Sequence, residues 1–530
     1  MKHDAIIVGG GIAGLTAAAF LCKQGCSVLL CEKEDRLGGL VGSYTQNGFT
    51  FDAGLRAMEN SGVLLPMLKS LGIEMEFLEN EVSIGVEKNI VRLAGAQSLA
   101  AYGDMLKKTF PEDAADIDRL LLAVQQTMGY MDVLYGIDNP VFMNLKDTAY
   151  LAHTLLPWAM KYMLTVGKIK KLSLPIEDYL RGIIQNPSLI DCIAQHFFKG
   201  TPAFFALSYL SLYLDYRYPR GGTGALVEKL EAYILAHGGE VQTGTKIVSV
   251  NPTVQTLTDG NGAKYPYETM IWAADMNALY ISIDKLESME EPGRTASMAQ
   301  KKCLEGLHGG DSVLTLYLAA DLPIDYFKAI HSPHFFYTPE QAGLHSLPDT
   351  GIRLHGGTLT DDREALKQWL RAFLRLTTYE ISIPAMRDPA LAPKGKAGLV
   401  ISTLTDYELW KHIRDMGWYD ECKALCQKTI EETLCGSVYP ELADKIISGS
   451  VSTPLTLEQR TGNTGGAITG WAFTNPRIPA VSRMTQIAKS VVTPIPNVWQ
   501  AGQWTYSPSG FPISILTGKM AADAVLKRLR

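Results

Sequence analysis

The chain has no Cys-x-x-Cys pair and little cysteine of any kind. Its eight cysteines, at 22, 26, 31, 192, 303, 422, 426 and 435 of 530 residues, are scattered. That spacing argues against a disulfide framework or a thiolate metal site and predicts a reducing, cytoplasmic setting. His331 and His334 form a His-x-x-His, but no acid or cysteine completes a ligand set, so no metal is expected. Long apolar runs are absent too. Residues 5–21 come nearest, yet glycines at motif spacing interrupt them, the positive flank is weak and no small-residue cleavage site follows. No P-loop, nucleophile motif or convincing general acid–base pair occurs. A net charge of −6 argues against nucleic acid as a partner.

What is present is a soluble-protein balance, 46% hydrophobic and 20% charged, over a length that predicts two or more domains. The organising stretch is 4–39. Ala5 to Val8 reads as a buried parallel strand running into Gly9-Gly10-Gly11-Ile12-Ala13-Gly14; a helical pattern then lasts until Gly25, and Val28 to Cys31 gives a second strand closed by Glu32. Gly9 permits the tight turn, Gly11 clears the backbone for a pyrophosphate, and Gly14 lets helix and strand pack closely. The helix start offers free N–H groups to phosphates, with Ala13 in its first turn. Glu32 stands near the spacing at which a carboxylate accepts from both ribose hydroxyls.

The continuation Glu32-Lys33-Glu34-Asp35-Arg36-Leu37-Gly38-Gly39, then Phe49-Thr50-Phe51-Asp52-Ala53-Gly54, resembles the E-x(3)-R-x-G-G and F-x-F-D-x-G elements of the two-domain flavoproteins that include amine oxidases and phytoene desaturases. Tyr218-Pro219-Arg220-Gly221-Gly222-Thr223-Gly224-Ala225-Leu226, followed by a strand-like stretch at 241–250, is similar to the phytoene desaturase and retinol saturase group. So is the tail from Gly502 to Ala522. The resemblance implies FAD, held by Gly9, Gly11, Ala13, Gly14, Glu32, Arg36, Gly38, Gly39, Val248, Gly502, Gln503 and Ile513. Val248 would hold the adenine through its backbone, and the helix start near Pro512 would stabilise negative charge on the reduced ring. Gln503 departs from the Asp that many relatives carry, which puts a carboxylate contact to the ribityl chain in doubt.

The fold class expected is α/β: a discontinuous FAD-binding Rossmann-like domain from 1–80, 215–280 and 445–530, with an inserted mixed α+β substrate domain from 81–214 and 281–444. The first insertion reads as helical and proline-interrupted. Within it His196, Phe197, Phe198, Phe204 and Phe205 are candidates for an apolar tunnel, with core packing as the plainer reading. No acidic residue occurs from Thr148 to Ile176, whereas Lys161, Lys168, Lys170 and Lys171 do. A helix from Pro157 puts Trp158, Tyr162, Ile169 and Leu172 on one face. This is either a buried stripe with a basic rim, the preferred reading, or peripheral contact with the inner face of a membrane.

The resemblance implies an FAD-dependent oxidoreductase acting on carbon–carbon bonds of a lipophilic polyene such as a carotenoid or retinoid, by desaturation, saturation or redox-neutral isomerisation. Net redox chemistry would need a second redox partner: NAD(P), a quinone or oxygen. Arg56, Tyr218, Arg220, Trp504 and Tyr506 are the candidate catalytic residues because they sit beside glycine turns that should face the ring; Glu59 is a further candidate by position. An amine oxidase with Trp504 and Tyr506 as its aromatic pair is the alternative, and a lipid-binding or escort protein is the non-enzymatic one.

Overall fold

A computed structural model describes residues 3–284, 286–347, 352–353 and 358–530. Its first sheet grows from the stretch 4–39. Strand β1 (His3–Val8) and strand β2 (Val28–Cys31) pair in parallel, Ala5 opposite Val28 and Val8 opposite Cys31, with helix α1 (Ile12–Lys23) as the crossover. The order is Glu240–Gln242, β2, β1 and Lys264–Trp272; the last pairs in parallel with β1 and, through Met270 to Trp272, with Val498–Gln500. A chain excursion of more than two hundred residues therefore returns to the same sheet. Helix α1 is buried on nearly every side, because the C-terminal helix α2 (Phe511–Leu529) and the helix Gly224–Ala236 cover its outer faces. The approach of α1 and α2 is close enough that a Cβ on Gly518 would collide with the Ala13 carbonyl.

The second sheet takes strands from both insertions, in the order Ile446–Ser452, Ser312–Ala320, Ala397–Thr405, Tyr379–Ser382, His334–Thr338, Val82–Val86 and Asn89–Leu93. Helices Arg363–Leu376 and Tyr419–Cys435 cover one face, with Leu366, Leu370, Trp410 and Ile430 in that core. A separate helical core forms around Leu120, Leu180, Leu189 and Leu207.

Three local expectations change. The alternation over 241–250 predicts one strand; the chain makes Glu240–Gln242 and Ile247–Asn251, parted by a turn in which Gly244 has φ +66°. Residues 81–214 open not on helix but on the hairpin Val82–Leu93, whose Val82, Ile84 and Val86 pair in parallel with His334–Thr338. Ile446–Ser452, which sequence spacing groups with 445–530, pairs antiparallel with Ser312–Ala320 of the second sheet. It is an edge strand with much of its surface exposed, so it lacks the apolar alternation that announces a buried one.

Candidate functional site

One cavity of about 960 Å³ runs along the carboxyl ends of β1 and β2 and continues between the two sheets. At its first end the glycine turn is a cradle. Gly9 has φ +107°, and a Cβ there would stand 2.7 Å from the Ala273 carbonyl oxygen; a Cβ on Gly14 would overlap the Gly9 carbonyl. Gly11 is different: it lines the cavity, and a Cβ there would meet nothing within 4 Å. The first turn of α1 has no side-chain cap, so its N–H groups are available to an anion at that spot.

The second glycine pair packs onto the first. Gly38 donates its N–H to the Gly10 carbonyl at 2.8 Å, and Gly39 stands close to the Gly11 Cα. Glu32 accepts from the Gly10 N–H at 2.7 Å and from the Glu34 N–H at 2.9 Å, which fixes the carboxylate at the cavity edge. A carboxylate has about four acceptor positions, so two remain for hydroxyls. Arg36 and Val248 also line this end, both well exposed.

Ala13, Gly502 and Gln503 line the middle of the cavity, and the start of α2 contributes Gly510, Phe511 and Ser514. The Gly502 N–H donates to Thr517 Oγ1 at 2.9 Å, holding that loop on α2. Two helix N-termini thus face one cavity. The open space at Gly11 and the donors around it fit an adenine dinucleotide. Gly14 and Ile513 are not on the wall; Gly14 serves the packing of turn and helix.

The candidate catalytic residues separate. Arg56 and Trp504 line the cavity and are buried; Arg56 donates to the Asp52 carbonyl and to Ser402 Oγ, both at 2.9 Å, while the Trp504 indole donates to Asn463 Oδ1 at 3.3 Å. Tyr218, Arg220 and Tyr506 lie off the cavity wall. The Tyr218 hydroxyl donates to Asp52 Oδ2 at 2.8 Å under the Arg387 guanidinium, Arg220 makes a bidentate exposed ion pair with Glu76, and the Tyr506 hydroxyl reaches the Ser482 carbonyl. The first two brace glycine turns, and no aromatic pair of Trp504 with Tyr506 stands on the wall.

Beyond Arg56 the cavity opens into a chamber. His196, Phe198 and Phe205 line it together with Tyr209, Leu212 and Phe336, whereas Phe197 and Phe204 do not. Polar groups enter as well. His334 Nε2 lies 2.9 Å from Glu380 Oε1. Burial holds His334 below its ordinary value, although Glu380 opposes this; Glu380 is itself held low despite burial by His334, Arg56 and Arg387. A neutral imidazole donating to an ionised carboxylate follows. Burial depresses His196 to about 4. Glu59, on the wall opposite Tyr216 in a short strand pair, is pushed up to about 7 by burial and, after an opposing backbone hydrogen bond, by Asp215. Glu380, Gln195 and Tyr209 carry no local sequence signature. His331 and His334 have separate partners, His331 bonding to Tyr439, and among the described residues no group of His, Cys, Asp or Glu could hold a metal ion.

Residues 7–71 match the NAD(P)-binding Rossmann-like domain family. The all-trans-retinol 13,14-reductase of Danio rerio is 25% identical over 99% of this chain and 86% of its own length. Prolycopene isomerase of Daucus carota is 24% identical over 86% of this chain and 70% of its own, and phytoene desaturase of Fusarium fujikuroi 22% over 99% and 90%. Among solved structures, cyclohexylamine oxidase from Brevibacterium oxydans superposes with a TM-score of 0.59 at 14% identity, covering both chains fully, a likeness of fold. Cradle, cavity and relatives together define an FAD-dependent oxidoreductase. Within that class the chain is similar over most of its length to a retinol 13,14-reductase, a prolycopene isomerase and a phytoene desaturase, and it shares the fold of an amine oxidase.

Proposed function

We propose that the protein acts on a carbon–carbon double-bond system of a lipophilic polyene, such as a carotenoid or retinoid, by desaturation, saturation or isomerisation. The observation that carries this reading is the continuity of the cavity: the dinucleotide cradle passes Arg56 and Trp504 and opens, with no intervening wall, into the chamber of Phe198, Phe205, Tyr209, Leu212 and Phe336. When bound, FAD supplies hydride acceptance or donation. The chain supplies the rest. Gly11, Glu32 and the starts of α1 and α2 hold and orient the dinucleotide, and the aromatic side chains exclude water and align an extended apolar molecule.

Glu59 is the group that holds or moves a proton, at its cavity-facing carboxyl. Titrating near 7, it changes state across the working range. Glu59→Gln is expected to lower turnover by about 10²-fold with the FAD spectrum intact. It should also abolish a break near pH 7 in the rate profile. A rate rising through that break marks a proton acceptor, one falling marks a donor, and a profile flat in both proteins removes Glu59 from the reaction. The same shift bears on stability. A carboxyl raised in the folded state favours folding at low pH, and that contribution fades as pH rises through about 7. Wild-type thermal stability should therefore fall more than that of Glu59→Gln between pH 5 and 8.

Mass spectrometry of lipid extracts from expressing cells tests the whole reading. A loss of two hydrogens indicates desaturation, a gain saturation, and a retention shift at constant mass isomerisation. Bleaching of the holoenzyme by amines with peroxide release, and no lipid change, would replace this reading with amine oxidation.

A further inference from the structure

The helix Leu156–Ile169 carries three stripes rather than two. Trp158, Tyr162, Thr165 and Ile169 turn inward: the Trp158 indole donates to the Val133 carbonyl at 2.6 Å, and Thr165 is buried. The face anticipated from sequence is thus half-buried at Trp158, Tyr162 and Ile169, with Thr165 its one buried residue in this helix. On the opposite side Leu156, Met160, Met163 and Leu164 are 62%, 63%, 73% and 76% exposed. Their spacing puts all four within about 100° of arc at 3.6 residues per turn. Lys161 and Lys168 flank this face, and Lys170 and Lys171 follow in the next turn; all four are exposed. No Asp or Glu occurs anywhere from Thr148 to Ile176.

Four large apolar side chains in water on one helix face call for an occupant. The charge around them selects it. The protein as a whole carries −6, so a general attraction to anionic surfaces is absent; the acid-free lysine cluster is a local exception placed beside the apolar face. Among the described residues no helix is long and apolar enough to cross a bilayer, which leaves lying on one. We infer that this helix docks the protein on an anionic lipid bilayer, with Leu156, Met160, Met163 and Leu164 inserted at the level of the acyl chains and the lysines among the headgroups. The inward stripe adjoins the reaction cavity: Tyr135 lies in the electrostatic reach of both Tyr162 and the wall residue Glu59. Docking would thus bring the Glu59 side of the cavity toward the membrane. That consequence rests on the lipophilic-substrate reading; the docking itself does not.

The test is flotation of the FAD-loaded protein with phosphatidylcholine vesicles made with and without phosphatidylserine. Wild-type protein should float with the anionic vesicles, and high salt should weaken this. Met163→Glu with Leu164→Glu should reduce the floated fraction at least about tenfold. Lys168→Glu with Lys171→Glu should do so only for anionic vesicles. These positions are exposed, so the flavin spectrum and melting temperature should hold, and activity on detergent-solubilised substrate should be unchanged. Equal flotation of wild type and the Met163/Leu164 variant overturns the inference, as does equal binding to neutral vesicles. A wild-type dimer that becomes monomeric in the Met163/Leu164 variant also overturns it, by showing a second copy as the occupant.

Discussion

Gly11→Glu is expected to yield a folded, colourless protein. At this position the backbone has φ −72° and ψ 177°, an extended conformation open to any residue, and a Cβ meets nothing within 4 Å. Folding therefore tolerates the side chain. The cofactor would not, because the added carboxylate enters the space where the phosphates must approach the N–H groups of α1, and brings charge of the same sign. FAD occupancy after purification and turnover should each fall by at least about 10²-fold, equivalent to about 3 kcal/mol. The melting temperature of the cofactor-free protein should stay within a degree or two of the cofactor-free wild type. Gly14→Ala is the contrast: its Cβ would collide with the Gly9 carbonyl, so that variant should lose stability first and cofactor as a consequence. A yellow Gly11→Glu protein with wild-type occupancy would remove the cradle from its assigned place.

Asp52→Ala is expected to produce the largest loss of stability among single polar substitutions around the site. Asp52 is fully buried, and its carboxylate accepts four hydrogen bonds: from Ser43 Oγ at 2.8 Å, the Thr223 N–H at 3.0 Å, Thr223 Oγ1 at 2.9 Å and the Tyr218 hydroxyl at 2.8 Å. It ties the F-x-F-D-x-G strand to the Y-P-R-G-G turn across more than 160 residues of chain. Alanine strands several buried donors at once, and the cost is about 3–5 kcal/mol. The following residues, Ala53 to Ala57, line the cavity, so FAD affinity should fall with stability. Asp52→Asn keeps the size and one acceptor and should lose far less, while Ser43→Ala removes one of four partners and should cost about 1 kcal/mol. Denaturant titration of the cofactor-free proteins measures these differences; an Asp52→Ala midpoint equal to that of Ser43→Ala would show the network to be slack.

This network gives the resemblance motifs a physical meaning that spacing alone could not supply. Tyr218 and Arg220 belong to a motif whose glycine turn the resemblance would set at the ring, yet the turn lies off the cavity wall, the Tyr218 hydroxyl is spent on Asp52 and the Arg220 guanidinium on Glu76 at the surface. Proximity to a glycine turn says that a residue braces the turn or faces the ring; only the direction of the side chain separates the two. The helix Leu156–Ile169 shows the same in reverse. Trp158, Tyr162 and Ile169 share one inward face as their spacing predicts and are half-buried there, but the exposed methionines and leucines on the other side would pass for core until the neighbouring helices are known to leave them bare.

By itself the sequence determined the cofactor cradle. A parallel strand, a glycine turn, a helix start and an acid lie within 39 contiguous residues; Gly9 answers a backbone demand with φ +107°, Gly14 one of close contact, and Gly11 leaves clearance for the cofactor rather than for the fold. The tertiary structure alone decided the chamber. Gln195 and Tyr209 come from the first insertion, Tyr216 from the segment that follows it, and His334, Phe336, Glu380 and Ser402 from three strands of a sheet that mixes both insertions. Long-range strand pairing brings these residues together, and since each satisfies an ordinary local pattern where it stands, nothing near any one of them announces the others.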